Sequence, residues 1–142
     1  MRIREILQTK GSGVITITPD ASVRELVALL KEHNLGAVVV STDGTTIEGI
    51  VSERDVVRSL ASDAAVLSEA VSEVMTAGVR TCHLDDSVES LMATMTEHRI
   101  RHLPVVDDDD KLSGIISIGD AVKATITQLE FERDQLQDYV SQ

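Results

Sequence analysis

The sequence predicts an α+β fold: two β-α-β-β-α units related by an internal pseudo-two-fold, followed by a C-terminal helix. Three observations carry the prediction. Sliding the 142-residue chain by 65 positions aligns Val14–Arg58 with Val79–Lys123 without a gap, and 16 of those 45 positions are identical. Each copy passes from short Val-rich or alternating runs to apolar residues at helical spacing and back. Ala121–Gln142 contains neither Gly nor Pro, as one long helix requires.

The first elements of each copy follow from local pattern. Ile3-Arg4-Glu5-Ile6-Leu7 resembles Val71-Ser72-Glu73-Val74-Met75 at an offset of 68, which places three extra residues within Gln8–Gly13 of the first copy. Val14–Ile17 and Val79–Cys82 alternate as short strands. Ser22-Val23-Arg24-Glu25 has the form of a capping box and opens a helix to about His33. Val23, Leu26, Val27 and Leu30 share one face of it, matched by Val88, Leu91, Met92 and Met95 in the second copy. His33 and His98 stand at equivalent helix ends, where their rings are expected to cap the last carbonyls.

The rest of each unit is a hairpin and a second helix. Ala37–Val40 and Leu103–Val106 are buried strands, followed by the polar turns Thr42-Asp43-Gly44 and Asp107-Asp108-Asp109-Asp110. Ile47–Val51 and Leu112–Ile116 complete the hairpins. Ser52 and Ser117 then stand where a strand hands over to a helix. A single unit of roughly 60 residues is marginal alone, so the two copies are expected to share a core. The expected division is a first repeat at 1–66, a second at 67–124 and a helical extension at 125–142.

Composition removes several function classes. Lys and Arg number 13 against 24 Asp and Glu, a formal charge of −11, which opposes a nucleic-acid clamp or an anionic membrane surface. Phe131 and Tyr139 are the only aromatics, so no base-stacking platform exists. Cys82 is the single cysteine; it forms no intrachain disulfide or Cys-based zinc site, and its strand position suits a core thiol in a reducing compartment. The charged start Met1-Arg2-Ile3-Arg4-Glu5, and the lack of any run near the ~20 apolar residues of a membrane span, predict a cytoplasmic protein. No nucleophile elbow, Walker loop or dinucleotide glycine motif is present, so no enzyme is expected. The four histidines lack metal-ligand spacing, His83 has no identifiable partner, and Asp107–Asp110 reads as a solvated turn.

The sharpest repeated motif is Gly49-Ile50-Val51-Ser52-Glu53-Arg54-Asp55, echoed by Gly114-Ile115-Ile116-Ser117-Ile118-Gly119-Asp120. One reading is structural: Ser with Asp three residues on caps the next helix, and Gly ends a hairpin. The other uses the same geometry for a ligand. A helix N-terminus offers free N–H groups to an anion, Ser meets phosphate or ribose, and an Asp carboxylate accepts two ribose hydroxyls. Spacing leaves both open.

These frames, together with His98-Arg99-Ile100-Arg101-His102-Leu103-Pro104-Val105-Val106-Asp107 and the short helices ending Ile6-Leu7 and Val74-Met75, resemble the cystathionine-β-synthase (CBS) domain pair, or Bateman module. The resemblance spans Met1 to about Lys123. It implies two clefts between the repeats that take adenosine-containing compounds, and a flat disc formed by two pairs. One cleft would hold Ser117 and Asp120 with Arg101, His102 and Pro104, its far side closed by Gly36 and Ala37. The other would hold Ser52 and Asp55, with Arg54 as a local cation. Val14 and Val79 would edge the base, and the glycine-rich Lys10-Gly11-Ser12-Gly13 would approach a phosphate, with Lys10 as a point charge. The first copy has Gly36-Ala37 in place of Arg101-His102, so the second-repeat cleft is expected to be the tighter. Arg99 reads instead as pairing with Glu97 or Glu73 on a solvated face.

The implied function is a stand-alone regulatory module that needs no cofactor. It would bind an adenine nucleotide, AMP foremost but also ADP, ATP or NAD-type compounds, and signal to an unidentified protein effector. The alternative is a structural or adaptor homodimer with degenerate clefts. The tail extends beyond the family's repeat by nearly twenty residues. Its Val122, Ile126, Leu129, Arg133, Leu136 and Val140 form a heptad seam with one charged interruption, which predicts a homodimer. The competing arrangement folds the helix back on its own domain through Phe131 and Tyr139.

Overall fold

The structure is a computed structural model that describes residues 1–11 and 13–141. In chain order it contains α1 (Ile3–Lys10), β1 (Thr16–Ile17), α2 (Val23–His33), β2 (Ala37–Val40), β3 (Gly49–Ser52) and α3 (Glu53–Ser62). Two 3₁₀ turns (Ala64–Ser68 and Val71–Glu73) lead to β4 (Cys82–His83), α4 (Val88–His98), β5 (His102–Val106), β6 (Leu112–Ser117) and α5 (Ile118–Ser141). The strands form two three-stranded sheets, β1-β2-β3 and β4-β5-β6. In each, the first strand is parallel to the second and the second antiparallel to the third. The α+β pair of repeats is as the sequence predicts.

The first strand of each repeat is shorter than expected. Only Thr16–Ile17 and Cys82–His83 join a ladder, so Val14 and Val79 belong to the approach segments.

Both α2 and α4 begin on a serine whose hydroxyl accepts the N3 amide, from Glu25 and Ser90 respectively, and Ser22 with Glu25 forms the full capping box. They end by a different device from the one the histidines suggested. Asn34 (φ 52°) and Arg99 (φ 54°) adopt the left-handed conformation and donate their backbone N–H groups to the Leu30 and Met95 carbonyls. His33 and His98 lie instead 4.0 Å from the neighbouring Glu32 and Glu97.

The repeats do not share one core. Two separate clusters form, each completed by a segment from before the other repeat. Ile3, Ile6 and Leu7 of α1 pack with Cys82, Val88, Leu91, Met95, Leu103, Val105 and Ile116 of the second repeat. Val66 and Val71 close the first repeat's core of Val23, Leu26, Val38, Val40, Val51 and Val56. Each amphipathic pre-strand segment thus covers the partner sheet. This exchange supplies apolar surface that a unit this size lacks. Arg2 bridges to Ser87 and Ala70 to Ser22 in the same pseudo-symmetric relation.

The shared frame of the two motifs has a packing role as well. Gly49 opens β3 and Gly114 lies inside β6, with Met75 and Leu7 respectively lying against their Cα atoms. Neither glycine has a positive φ, so close approach and not turn geometry requires them.

The second motif opens into one continuous helix of 24 residues, α5. Its base packs on α4 through Ala121 and Thr125, whose hydroxyl lies 3.4 Å from the Met92 sulfur. Beyond that turn the helix is largely exposed.

Candidate functional site

A cleft of about 750 Å³ opens between the repeats, across their pseudo-two-fold. Its floor is where the N-terminal ends of β2 and β5 meet. A methyl group at Gly36 would lie 3.2 Å from His102 Nε2, so the missing side chain is what admits the imidazole. Two equivalent backbone bonds hold the walls. Glu53 N–H donates to the Gly36 carbonyl at 2.9 Å, and Ile118 N–H donates to the Arg101 carbonyl at 2.8 Å. Both helices α3 and α5 therefore begin at the cleft, with Ser52, Ser117 and Gly119 on its lining. Their positive ends favour an anion there.

Asp55 lines this cleft, half-buried, at the third position of α3. Its Oδ2 accepts from Ser52 N–H at 2.8 Å and from Ser52 Oγ at 3.0 Å, while the Asp55 amide donates back to Ser52 Oγ at 3.2 Å. The capping box is real. It engages one carboxylate oxygen only; Oδ1 takes no hydrogen bond among the described residues, so capping and ligand binding are compatible.

Five arginines line the same cleft: Arg54, Arg58, Arg80, Arg99 and Arg101. Among the described residues none of them is in an ion pair. At the pseudo-symmetric positions stand Gly119, Lys123, Ile15, Asn34 and Gly36. The cationic field therefore belongs to one side of the pair, in a chain whose formal charge is −11. His102 adds to it conditionally: burial, and then the charges of Lys10 and Arg101, hold its imidazole below its ordinary value, and a bound anion would oppose that.

Of the residues singled out in the sequence, Ala37, Ser52, Arg54, Asp55, Val79, Arg101, His102 and Ser117 come together here. The grouping differs from the expected one, since Arg101 and His102 share the cleft with Asp55, and Asp120 does not line it. Four candidates stand elsewhere. Pro104 is buried in the central strand β5, opposite Ile115, where its carbonyl accepts from the Cys82 thiol at 3.6 Å; it shares the strand face of His102 but lies beyond the cleft lining. Val14 lies on the approach to β1. Lys10 donates to Asp120 Oδ2 at 2.7 Å and to the Ile115 carbonyl at 2.8 Å. Burial raises the Asp120 carboxyl, but Lys10 and the Ser117 amide outweigh it and hold it below the usual range. In the glycine-rich loop that follows Lys10, Ser12 lies outside the described residues.

Sequence reasoning missed three of the arginines. Arg99 does not pair with Glu97 or Glu73; its left-handed backbone turns the chain into the cleft. Arg58 lies one helical turn after Arg54, a spacing that puts both on one face. Arg80 follows the predicted Val79, and carried no signal of its own.

Other chemistry is limited. Burial, with Asp86 nearby, pushes the Cys82 thiol up to about 12, which leaves it protonated at neutral pH. His83 finds its partner in Asp108, at 2.8 Å, beside exposed Asp85, and Asp85 also accepts from Arg4. Asp107 Oδ1 accepts the Asp109 and Lys111 amides and so orders the acidic turn. Among the described residues no helix is long and apolar enough to cross a membrane.

Comparison with known proteins agrees with this geometry. The sequence model for the CBS domain matches twice, at residues 3–62 and 71–126. A CBS domain-containing protein of Bacillus subtilis, YhcV, is 31% identical over 115 residues, which is 81% of this chain and 81% of that protein. The crystal structure of the CBS-domain containing protein ATU1752 from Agrobacterium tumefaciens superposes with a TM-score of 0.84 at 42% identity, covering 88% of this chain and 99% of that one. The CBS domain pair of protein MJ0100, crystallised with 5′-methylthioadenosine and S-adenosyl-L-methionine, gives a TM-score of 0.79 at 26% identity, covering 90% of this chain and 98% of that one.

Proposed function

The chain belongs to the CBS-domain family, and from that premise we propose that it is a regulatory module that binds an adenosine-containing nucleotide in the Asp55 cleft and passes the bound state to a protein partner. The observation that carries this reading is one half-buried carboxylate with a free oxygen, in a cleft also lined by five arginines without ion-pair partners among the described residues. A ribose supplies hydroxyls to Asp55, and phosphates supply charge to the arginines. Charge-assisted bonds of that kind are the strong ones, and they offset the long-range repulsion from a chain of net charge −11. The likeness to MJ0100 supports the adenosine class. Unlike a sulfonium ligand, a phosphorylated one matches this lining.

No catalytic step is part of this reading. Among the described residues the cleft holds no buried nucleophile, and the one thiol is in the core. A cytoplasmic homodimer completes it. On α5, Ile126, Leu129, Leu136 and Val140 are between 51% and 81% exposed, an apolar stripe that a second copy would cover. An adaptor dimer with empty clefts is the second reading, favoured by the completeness of the Ser52–Asp55 cap. Thermal melting with AMP, ADP, ATP, NAD and S-adenosylmethionine separates the two. A rise in Tm with a phosphorylated nucleotide supports the sensor, and no shift with any of the five leaves the adaptor.

A further inference from the structure

The two capped carboxylates of this pair differ in one cation held directly. At the pseudo-symmetric position to Asp55, Asp120 carries the same cap: its Oδ2 accepts from Ser117 N–H at 2.9 Å and its amide donates to Ser117 Oγ at 3.1 Å. What differs is that this oxygen also receives the Lys10 ammonium. Resting on the reading that Asp55 binds a nucleoside, we propose that Lys10 is the residue that limits the pair to one ligand, by holding the Asp120 carboxylate as an internal counter-ion.

The cause lies in the three extra residues of the first copy. In the first repeat the edge of β3 is capped by backbone: Ile50 and Thr76 exchange N–H···O bonds of 3.0 and 2.9 Å. Thr76 reaches that edge because the segment before it is only a 3₁₀ turn, Val71–Glu73. Its counterpart before the first repeat is the α-helix α1, which continues to Lys10. Among the described residues no backbone arrives at Ile115 on the edge of β6 away from β5, and its carbonyl accepts from the Lys10 side chain instead, at 2.8 Å. One ammonium therefore satisfies a strand-edge carbonyl and, through Oδ2 alone, neutralises the carboxylate whose charge a ribose would need. Ile3, Ile6 and Leu7, buried in the second core, fix the helix that presents it. A nucleoside entering here must first break an ion pair whose members are 38% and 26% exposed, with no arginine at the positions equivalent to the five to attract it.

Lys10 is exposed and lies outside the core, so its replacement leaves α1 anchored. Calorimetric titration of the full chain with ATP, and separately with AMP, reads the number of sites. The wild type should take one equivalent per chain. Lys10→Met should take two, Lys10→Gln likewise, and Lys10→Met with Asp120→Asn should return to one. A wild type that already takes two, or a Lys10→Met that still takes one, overturns the role of Lys10 and leaves the Asp55 reading standing. Failure of every variant and the wild type to bind either nucleotide overturns both.

Discussion

Met75 fills the space that a side chain at Gly49 would need. A Cβ there would fall 2.5 Å from the Met75 sulfur and 3.0 Å from the Thr76 carbonyl oxygen. Leu7 stands in the same relation to Gly114, with Cδ2 at 2.7 Å. The glycines of the two motifs thus let each pre-strand segment close down on the other repeat's sheet, and that closure sets the position of the strand-to-helix junctions carrying Ser52, Asp55, Ser117 and Asp120.

Alanine at either glycine overpacks this contact. Gly49→Ala, which meets backbone as well as a flexible side chain, should lose about 1–3 kcal/mol in urea unfolding. Gly114→Ala, which meets only Leu7, should lose less. Pairing Gly114→Ala with Leu7→Ala should cost less than the two single changes together. Strict additivity would contradict the packing account.

The five arginines of the cleft should rank ligands by charge. ATP should bind more tightly than ADP, and ADP more tightly than AMP, with the differences shrinking as salt is raised. Arg80→Ala should lower ATP affinity about ten-fold, the loss of one charge-assisted hydrogen bond of ~1.5 kcal/mol. Arg133→Ala, on the exposed tail, should lower it not at all. Equal affinities for all three nucleotides would show that the arginines do not meet the phosphates.

His102 makes two pH effects of opposite sign. Its folded-state value lies below the ordinary 6.5, from burial first and then Lys10 and Arg101. In the empty protein the unfolded chain therefore binds its proton first, so His102 withdraws stability as pH falls from its unfolded value through its folded one. A bound phosphate favours the charged ring, so nucleotide affinity gains a contribution as pH falls through the same window. His102→Gln should remove both. Melting and binding measured from about pH 7.5 to about 5.5 on the two proteins, a span that brackets the ordinary histidine range, would show this. Identical profiles would exclude His102 from the phosphate site.

The C-terminal helix supplies the dimer prediction. Leu136 is 65% and Val140 81% exposed, which is costly to leave in water at ~25 cal/mol per Å² of apolar surface. Light scattering should give a dimer for the full chain and a monomer after removal of residues 127–142. A dimer that survives truncation would place the interface on the repeats' helices, where Val57 is also 65% exposed.

The fold was legible because duplication doubles each signal: Ser22 and Ser87 both announce a helix, and Val-rich runs twice announce a central strand. What stayed hidden depends on relations between segments far apart in sequence. That α1 completes the second core, and not the first, follows from packing that no local pattern encodes. The site was half legible for the same reason. Asp55 and Arg101 were visible in their motifs, but only the crossing of β2 and β5 at Gly36 and His102 brings them to one cleft. Lys10 was visible as a cation near a glycine-rich loop; its engagement by Asp120 depends on the length of α1. Pro104 belonged to a recognisable motif and shares the strand face of His102, yet it is buried beyond the cleft, because a motif marks a strand without saying how far along it the cleft extends.

The central claim is that Asp55 holds a nucleoside in the arginine-lined cleft, and calorimetry with ATP on wild type and Asp55→Asn tests it most directly. The asparagine side chain keeps the size of the aspartate and a cap for the helix but removes the charge that strengthens a ribose hydroxyl contact. The account predicts saturable binding to the wild type and affinity at least about ten-fold weaker in the variant, a difference of ~1.4 kcal/mol, with Asp120→Asn close to wild type. Unchanged affinity in Asp55→Asn, or its loss in Asp120→Asn alone, would contradict the account.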